Sequence, residues 1–488
     1  MTGPGRRTVL AGLAGGIAAL GLPTRLSALT GPGAAVLNRT GLGPYTAYAL
    51  CDLNGDILDA HSKDEGLPPA SVIKAVTALY ALDRLGAGFR FATELRATGP
   101  IKNGVLDGDL VLAGGGDPLL DTDALGDLVA VLAKEGLREI TGRLIVADGA
   151  LPAIRAIEAE QPMHVGYNPA LSGLNLNFNR VHLAWKPGAN GPVFTFSAEG
   201  QRHSVVVRSI TGASGPGPLP AMSEEDGIEV WSLPGGFFGG RGGVWMPVRA
   251  PARYAAEVFS LLAERAGLTL PEPEIVETVP SGIVLARHES PPLETMMRDM
   301  LRYSTNLTAE IAGLRASREE DPAISNLPAS AAAMQNWADK RWGLGAGVRF
   351  VDHSGLNDQG RVSPDAMLAV LRGGRDDLPG LLRPFTLLSA NRERVRMAGL
   401  AIPAKTGTLN FVSGLAGYVL ADGQKPMGFA IFSADLDTRA EIPPEERHNA
   451  PGARRWARRA RNQQQALLRS WLAEYPPIQG VLRPRPRR

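Results

Sequence analysis

Helical spacing and strand-length apolar runs divide this chain before any motif is considered. Tyr45 to Leu53 is an apolar and aromatic run, followed by Asn54-Gly55 and a second short run, Asp56 to Ala60. Asn-Gly between two such runs predicts a hairpin, because both residues accept the positive φ of a tight turn. Pro68-Pro69 then precede Ala70 to Leu85, where apolar residues at 72, 75, 76, 79 and 82 recur at helical spacing until Gly86. That pattern predicts a buried helix, punctuated by proline before it and glycine after it.

From about Arg96 to about Ser281 the texture changes to short apolar runs separated by Gly and Pro turns. Strands are predicted at Leu110 to Ala113, Gly142 to Asp148, Val193 to Phe196, His203 to Arg208 and Gly243 to Val248. Asp123 to Glu135 and Pro251 to Gly267 read as helices among them, so this stretch is predicted to form one or two β-rich modules. Helical spacing returns at Pro292 to Met300, Asn306 to Arg318 and Ser330 to Arg341. The chain then offers three more strands, opening at Lys405 to Thr408 and continuing in Gly414 to Asp422 and Met427 to Asp435. Ala466 to Leu472 reads as a helix that packs on the sheet. No solenoid-type repeat is present.

Composition narrows the class. The 488 residues, 44% hydrophobic and 20% charged, suffice for several domains with a buried core, and exclude wholesale disorder. The 58 Gly and 38 Pro follow no period, which excludes collagen. The single cysteine, Cys51, excludes a disulfide framework and any zinc site that needs two cysteines. The net charge of +2 conceals an asymmetry: residues 451–488 hold ten Arg and one Glu, a net of +9, and residues 1–28 hold +3. The stretch between therefore carries −10, the whole less its two ends. An acidic body with a basic end does not present the basic folded face of a nucleic-acid binder.

Residues 1–28 have the layout of an export signal: Arg6 and Arg7, an apolar Val9 to Leu22, and Leu26-Ser27-Ala28 before a cleavage point. The adjacent arginines resemble a twin-arginine signal. Val9 to Leu22 falls short of the ~20 apolar residues of a membrane span, which favours cleavage over anchoring. The expected location is the periplasm or the outer face of the cytoplasmic membrane.

The seven histidines form no H-E-x-x-H or other metal pair, and there is neither a Walker lysine motif nor a G-x-S-x-G elbow. No metal and no cofactor are expected. Asp352-His353-Ser354 contains triad residue types, but three consecutive residues cannot form a relay. Ser71-Val72-Ile73-Lys74, at the start of the predicted helix, is different. Residues three apart share a helix face, so the Lys74 amine can reach the Ser71 hydroxyl and act as its base. Two further pieces follow in order: Ser304-Thr305-Asn306 on a turn into a helix, and Lys405-Thr406-Gly407-Thr408 opening a strand. Each alone has an ordinary explanation as a helix cap or polar strand start; together, in this order and on these elements, they point to a serine acyl-transfer site.

These three motifs resemble those of the penicillin-binding proteins and serine β-lactamases, with Thr305 where that superfamily's middle motif has Asp. The separation of 230 residues from Lys74 to Ser304 is too long for a compact β-lactamase. It is similar to that made by the long insert of the D-alanyl-D-alanine carboxypeptidase/endopeptidase family of the penicillin-binding protein 4 type. Gly114 to Pro118, Tyr167 to Ser172 with Asn175 and Asn177, and Asp352 to Asn357 ahead of Arg361-Val362-Ser363 add to the likeness.

The resemblance implies an α/β (α+β) catalytic domain, discontinuous over residues 29–95 and 282–488. In it a five-stranded antiparallel sheet flanked by helices is interrupted by inserted β-rich modules at 96–281. It implies Ser71 as nucleophile, Lys74 as general base and Ser304 as proton relay. Asn306 would bind the substrate amide, and Lys405, Thr406, Gly407 and Thr408 the terminal carboxylate. The backbone N–H groups of Ser71 and Thr408 would form the oxyanion hole. The implied partners are peptidoglycan stem peptides, with β-lactams as inhibitors. A basic tail at 483–488 is expected to associate weakly with a membrane surface or acidic wall polymers. A β-lactam hydrolase on the same fold and a non-catalytic peptidoglycan-binding protein stay open as alternatives. The first would need a deacylation base, and no Glu-x-x-Leu-Asn element follows the second motif.

Overall fold

The computed structural model of the chain describes residues 31–237, 240–443, 446–447 and 449–476. The export segment 1–28 and the basic tail 483–488 lie outside the described residues. In the part of the chain that carries the three motifs the elements include α1 (Pro32–Thr40), β1 (Thr46–Asp52), β2 (Ile57–His61) and α2 (Lys74–Leu85), then α3 (Leu293–Tyr303), α4 (Asn306–Glu320), α5 (Leu327–Trp342) and α6 (Pro364–Gly373). Then come β3 (Leu400–Ala401), β4 (Ala404–Leu409), β5 (Val412–Ala421), β6 (Met427–Ala434) and α7 (Ala453–Glu474).

The first hairpin and the last three strands form one antiparallel sheet in the order β4-β5-β6-β1-β2, with the two-residue β3 beside β4 on the same edge of β5. The expected five strands are there, and β3 makes a sixth. Gly55 takes φ 119° in the β1–β2 turn, while Asp52 Oδ1 accepts the N–H groups of Asn54, Gly55 and Asp56. Alternation along β1 explains why every one of its residues is buried. Ala47, Ala49 and Cys51 face one core with Val76 of α2, Ile311 of α4 and Met367 of α6. Tyr48 and Leu50 face a second core with Val36 and Leu37 of α1 and Leu467, Leu468 and Trp471 of α7. The sheet is thus covered on both sides, so its central strands read as continuous apolar runs.

α7 is longer than the sequence predicts, 22 residues from Ala453 rather than a turn or two around Ala466–Leu472. Its Trp471, fully buried, donates to Asp59 Oδ2 at 2.7 Å and ties the C-terminal helix to β2.

The excursion between α2 and α3 has its own core, in which Leu95, Leu112, Leu125, Val146 and Phe259 meet. Its largest sheet runs Pro273–Val276, Leu144–Ala147, Leu110–Gly114, Ala92–Ala97, Ile283–Glu289. The two strands that carry the chain out and back, Ala92–Ala97 and Ile283–Glu289, pair with each other. Ala92–Ala97 runs across the expected limit at 96 and Ile283–Glu289 begins just past the one at 281, because a change of residue texture does not locate a strand end.

Candidate active site

The Ser71-Val72-Ile73-Lys74 motif sits on a 3₁₀ turn, Ala70–Ile73, that runs into α2. Ala70 has φ 47°, a left-handed conformation that costs a residue with a Cβ on the order of 1–2 kcal/mol. Two glycines make room for the turn. A Cβ on Gly407 of β4 would lie 2.7 Å from Pro69 O and 3.0 Å from Ser71 N, and one on Gly355 would lie 1.9 Å from Ala70 O. Gly407 therefore seats the Ser71 turn against β4.

Lys74 is completely buried. Its Nζ lies 2.9 Å from Ser71 Oγ, 2.8 Å from Asn306 Oδ1 and 2.6 Å from Ser354 O. The Asn306 amide is oriented by its Nδ2, which donates to Tyr167 O at 2.8 Å. Two of the three lysine partners are therefore acceptors only, whereas the Ser71 hydroxyl can accept or donate. A neutral amine would give its two N–H groups to Asn306 and Ser354 and turn its lone pair toward the Ser71 proton. Burial, and then the nearby Lys405, lower Lys74 to about 7, against the opposing pull of Asp352 and Glu310.

Ser304 caps α3 with φ 60°, and this left-handed residue turns the chain toward α4. Its Oγ accepts from Lys405 Nζ at 2.9 Å, and Lys405 also donates to Thr406 O at 2.8 Å. Burial lowers Lys405 to about 8. Thr305 is the N-cap of α4 and makes no side-chain cap bond.

β4 is an edge strand. Tyr418 N donates to Pro403 O, and in the β4–β5 register Lys405, Gly407 and Leu409 follow at the same phase. Bonded positions alternate in an antiparallel ladder, so the N–H and C=O groups of Thr406 and Thr408 face the free edge. Thr408 N–H is thus available beside the Ser71 backbone.

A cleft of about 580 Å³ is lined by Ser71, Ser304, Asn306, Tyr167 and Thr408, and extends past Leu409 and Asn410 to the start of α7. Thr406 is exposed next to this wall without lining it. All three motifs meet here, although their residues are spread over more than 300 positions of the chain.

Glu310 escapes sequence reasoning, and Asp352 and Ser354 enter it only within a rejected triad and a likeness that gives them no role. Glu310 of α4 is fully buried, and its two oxygens accept His353 N at 3.1 Å and Ser354 N at 2.8 Å. It holds the loop whose Ser354 carbonyl holds Lys74. Asp352 accepts Gly355 N and Asn357 N, shaping the same loop. Burial and then Asp352 push Glu310 up to about 8, and burial raises Asp352. The signal available in sequence was an acid among the buried positions Leu307, Ala309, Ile311, Ala312 and Leu314. His353 is not part of a relay: its Nε2 meets Ser330 Oγ at 2.7 Å, and burial lowers it to about 3. Among the described residues no group of three or more His, Cys, Asp or Glu could hold a metal ion, and no helix is long and apolar enough to cross a membrane.

Comparison with known proteins adds to this geometry. Residues 47–451 match the family model described as D-Ala-D-Ala carboxypeptidase 3 (S13) family. A D-alanyl-D-alanine carboxypeptidase of Actinomadura sp. (strain R39) is 28% identical over 401 residues, 75% of this chain and 73% of that protein. The D-alanyl-D-alanine carboxypeptidase DacB of Haemophilus influenzae is 25% identical over 420 residues, 77% of this chain and 83% of that one. The crystal structure of penicillin binding protein 4 from Haemophilus influenzae matches the fold with a TM-score of 0.67 at 21% identity, covering 86% of this chain and 96% of that one.

Proposed function

The chain belongs to the D-Ala-D-Ala carboxypeptidase 3 (S13) family, a family of serine peptidases, and from that premise we propose how its residues divide the hydrolysis of D-Ala-D-Ala in peptidoglycan stem peptides. Ser71 Oγ attacks the carbonyl carbon of the penultimate D-Ala while its proton passes to Lys74 Nζ. The oxyanion that forms faces the backbone N–H groups of Ser71 and Thr408, fixed donors of the kind worth about 10²–10³ in rate. The C–N bond then breaks, and the proton reaches the leaving amine through Ser304 Oγ. Lys405, Thr406 and Thr408 hold the terminal carboxylate, with Gly407 keeping that strand close to the nucleophile. The second N–H of Asn306 binds the substrate amide. Water, losing a proton to Lys74, attacks the acyl carbon, and Lys74 returns that proton to Ser71 Oγ as the acyl C–O bond breaks.

The observation that carries this reading is the arrangement around Lys74: two acceptor-only partners and one hydroxyl, at 2.6–2.9 Å, on a completely buried amine. Release of D-Ala from an N-acylated D-Ala-D-Ala peptide tests the activity. Peptide mapping after incubation with benzylpenicillin tests the nucleophile: a single adduct on the peptide containing Ser71 is expected. An adduct elsewhere, or none on folded protein, would overturn the assignment. An adduct that clears rapidly with catalytic loss of the drug would instead make the protein a β-lactam hydrolase.

Residues 1–28, by the same proposal, direct the protein out of the cytoplasm to where stem peptides are exposed. The support is the Arg6-Arg7 pair ahead of Val9 to Leu22 and the small residues at Ser27-Ala28. N-terminal sequencing of the protein from its producing cell should find a start after Ala28 in the exported fraction. An intact Met1 on cytoplasmic protein would refute it.

A further inference from the structure

The wall of the cleft beyond Asn410 is made by the first turns of α7, and it carries Arg454, Arg458 and Arg461. Their spacing of four and three residues puts them on one helix face, and all three are exposed. The adjoining face is fixed: Ala453, Trp456, Ala457 and Ala460 pack with Leu42, Phe411, Ile442 and Ala450. Two other arginines of the cleft are already matched. Arg439 pairs with Asp358 at 2.5 Å and donates to Asn410 O, and Arg447 pairs with Glu160 at 2.7 Å. Among the described residues, Arg454, Arg458 and Arg461 have no such carboxylate.

This placement opposes local stability. Like charges at helical spacing repel, and a helix N-terminus already carries partial positive charge. α7 has no acid in its first turn and no side-chain cap. A row that violates helix electrostatics while facing a catalytic cleft is the kind of local conflict that functional sites retain.

Direction along the cleft says which part of a substrate meets the row. On the reading given above, the terminal carboxylate lies at the Lys405 end of β4 and the scissile carbonyl lies between Ser71 and Thr408. The acyl portion must then run past Leu409 and Asn410, toward α7. We propose that Arg454, Arg458 and Arg461 form an anion subsite that selects acyl donors bearing several free carboxylates, and that the enzyme prefers such stem peptides to neutral or amidated ones. The inference rests on the peptidase reading for its direction, though not for its charge.

The test uses the full chain, with two D-Ala-D-Ala peptides that differ only in whether the acyl-side carboxylates are free or amidated. The wild type should favour the free acid in kcat/KM, and the preference should shrink as salt is raised. In a triple variant, Arg454→Gln/Arg458→Gln/Arg461→Gln, the ratio of the two kcat/KM values should fall about tenfold, from contributions of about twofold each at exposed pairs. A ratio unchanged by the triple substitution overturns the proposal. Direct titration of the free-acid peptide lacking its terminal D-Ala reads the subsite without catalysis. Weaker binding by the triple variant supports it even if neither substrate is turned over, a result that would defeat the peptidase reading alone. Equal binding to both proteins, together with loss of binding to vesicles of equal parts phosphatidylcholine and phosphatidylglycerol in the triple variant, would assign the row to a lipid surface and overturn the subsite.

Discussion

Replacing Lys74 by methionine should lower kcat/KM on a D-Ala-D-Ala peptide by about 10²–10⁴, the usual contribution of a positioned general base. Methionine keeps the unbranched stem in the buried channel and removes the amine, so the thermal unfolding midpoint separates lost chemistry from lost fold. The wild-type pH profile should carry the same signature. Burial and the Lys405 charge hold Lys74 down at about 7, so the neutral base is depleted as the pH falls below 7. Activity should drop about tenfold per pH unit there, one proton being bound per lost active site. A profile flat from pH 5 to pH 8 would show that Lys74 does not titrate as the base. Substituting Lys405 by a neutral residue should move that limb upward, because the second-largest cause of the depression is then gone.

How much of this was legible in sequence follows from how local each feature is. The β1–β2 hairpin is written in Asn54-Gly55 and its flanking runs, and the three motifs are short enough to read without a fold. α1 was missed because Pro32–Thr40 is stable only through Val36 and Leu37 packing on Leu467, Leu468 and Trp471, more than 400 residues away. α7 was half seen: its second half has large apolar residues, but its first half turns only Ala453, Trp456, Ala457 and Ala460 inward among arginines. The strands Arg180–Gly188 and Ile228–Pro234 were missed in a stretch rich in Gly and Ser, where pairing with Gly191–Glu199 and Ile210–Gly215 supplies the order. In sequence Gly407 stands only as one member of the carboxylate motif. In the fold its missing side chain faces Pro69 and Ser71, a tertiary contact that spacing along one strand cannot show.

Glu310 is the residue whose loss should be felt furthest from its own atoms. Glu310→Ala removes both acceptors from the buried N–H groups of His353 and Ser354. An unmade buried hydrogen bond costs about 1–3 kcal/mol, so the variant should lose about 2–6 kcal/mol of stability. Its catalytic loss should exceed what partial unfolding explains, because the released loop carries the Ser354 carbonyl that orients Lys74. Glu310→Gln separates packing from charge: it keeps one oxygen for one N–H and sets an amide against the other. Burial and Asp352 push the Glu310 carboxyl up to about 8, above its unfolded value of about 4.3. The folded state therefore holds a proton that the unfolded chain has released, and wild-type stability falls as pH rises from about 4.3 to about 8. The glutamine variant cannot titrate, so its unfolding midpoint should fall less steeply across that window, measured between pH 5 and pH 8 in the same buffer series. Equal slopes would mean that Glu310 is charged throughout, and that the loop is held to Lys74 by an ionised carboxylate.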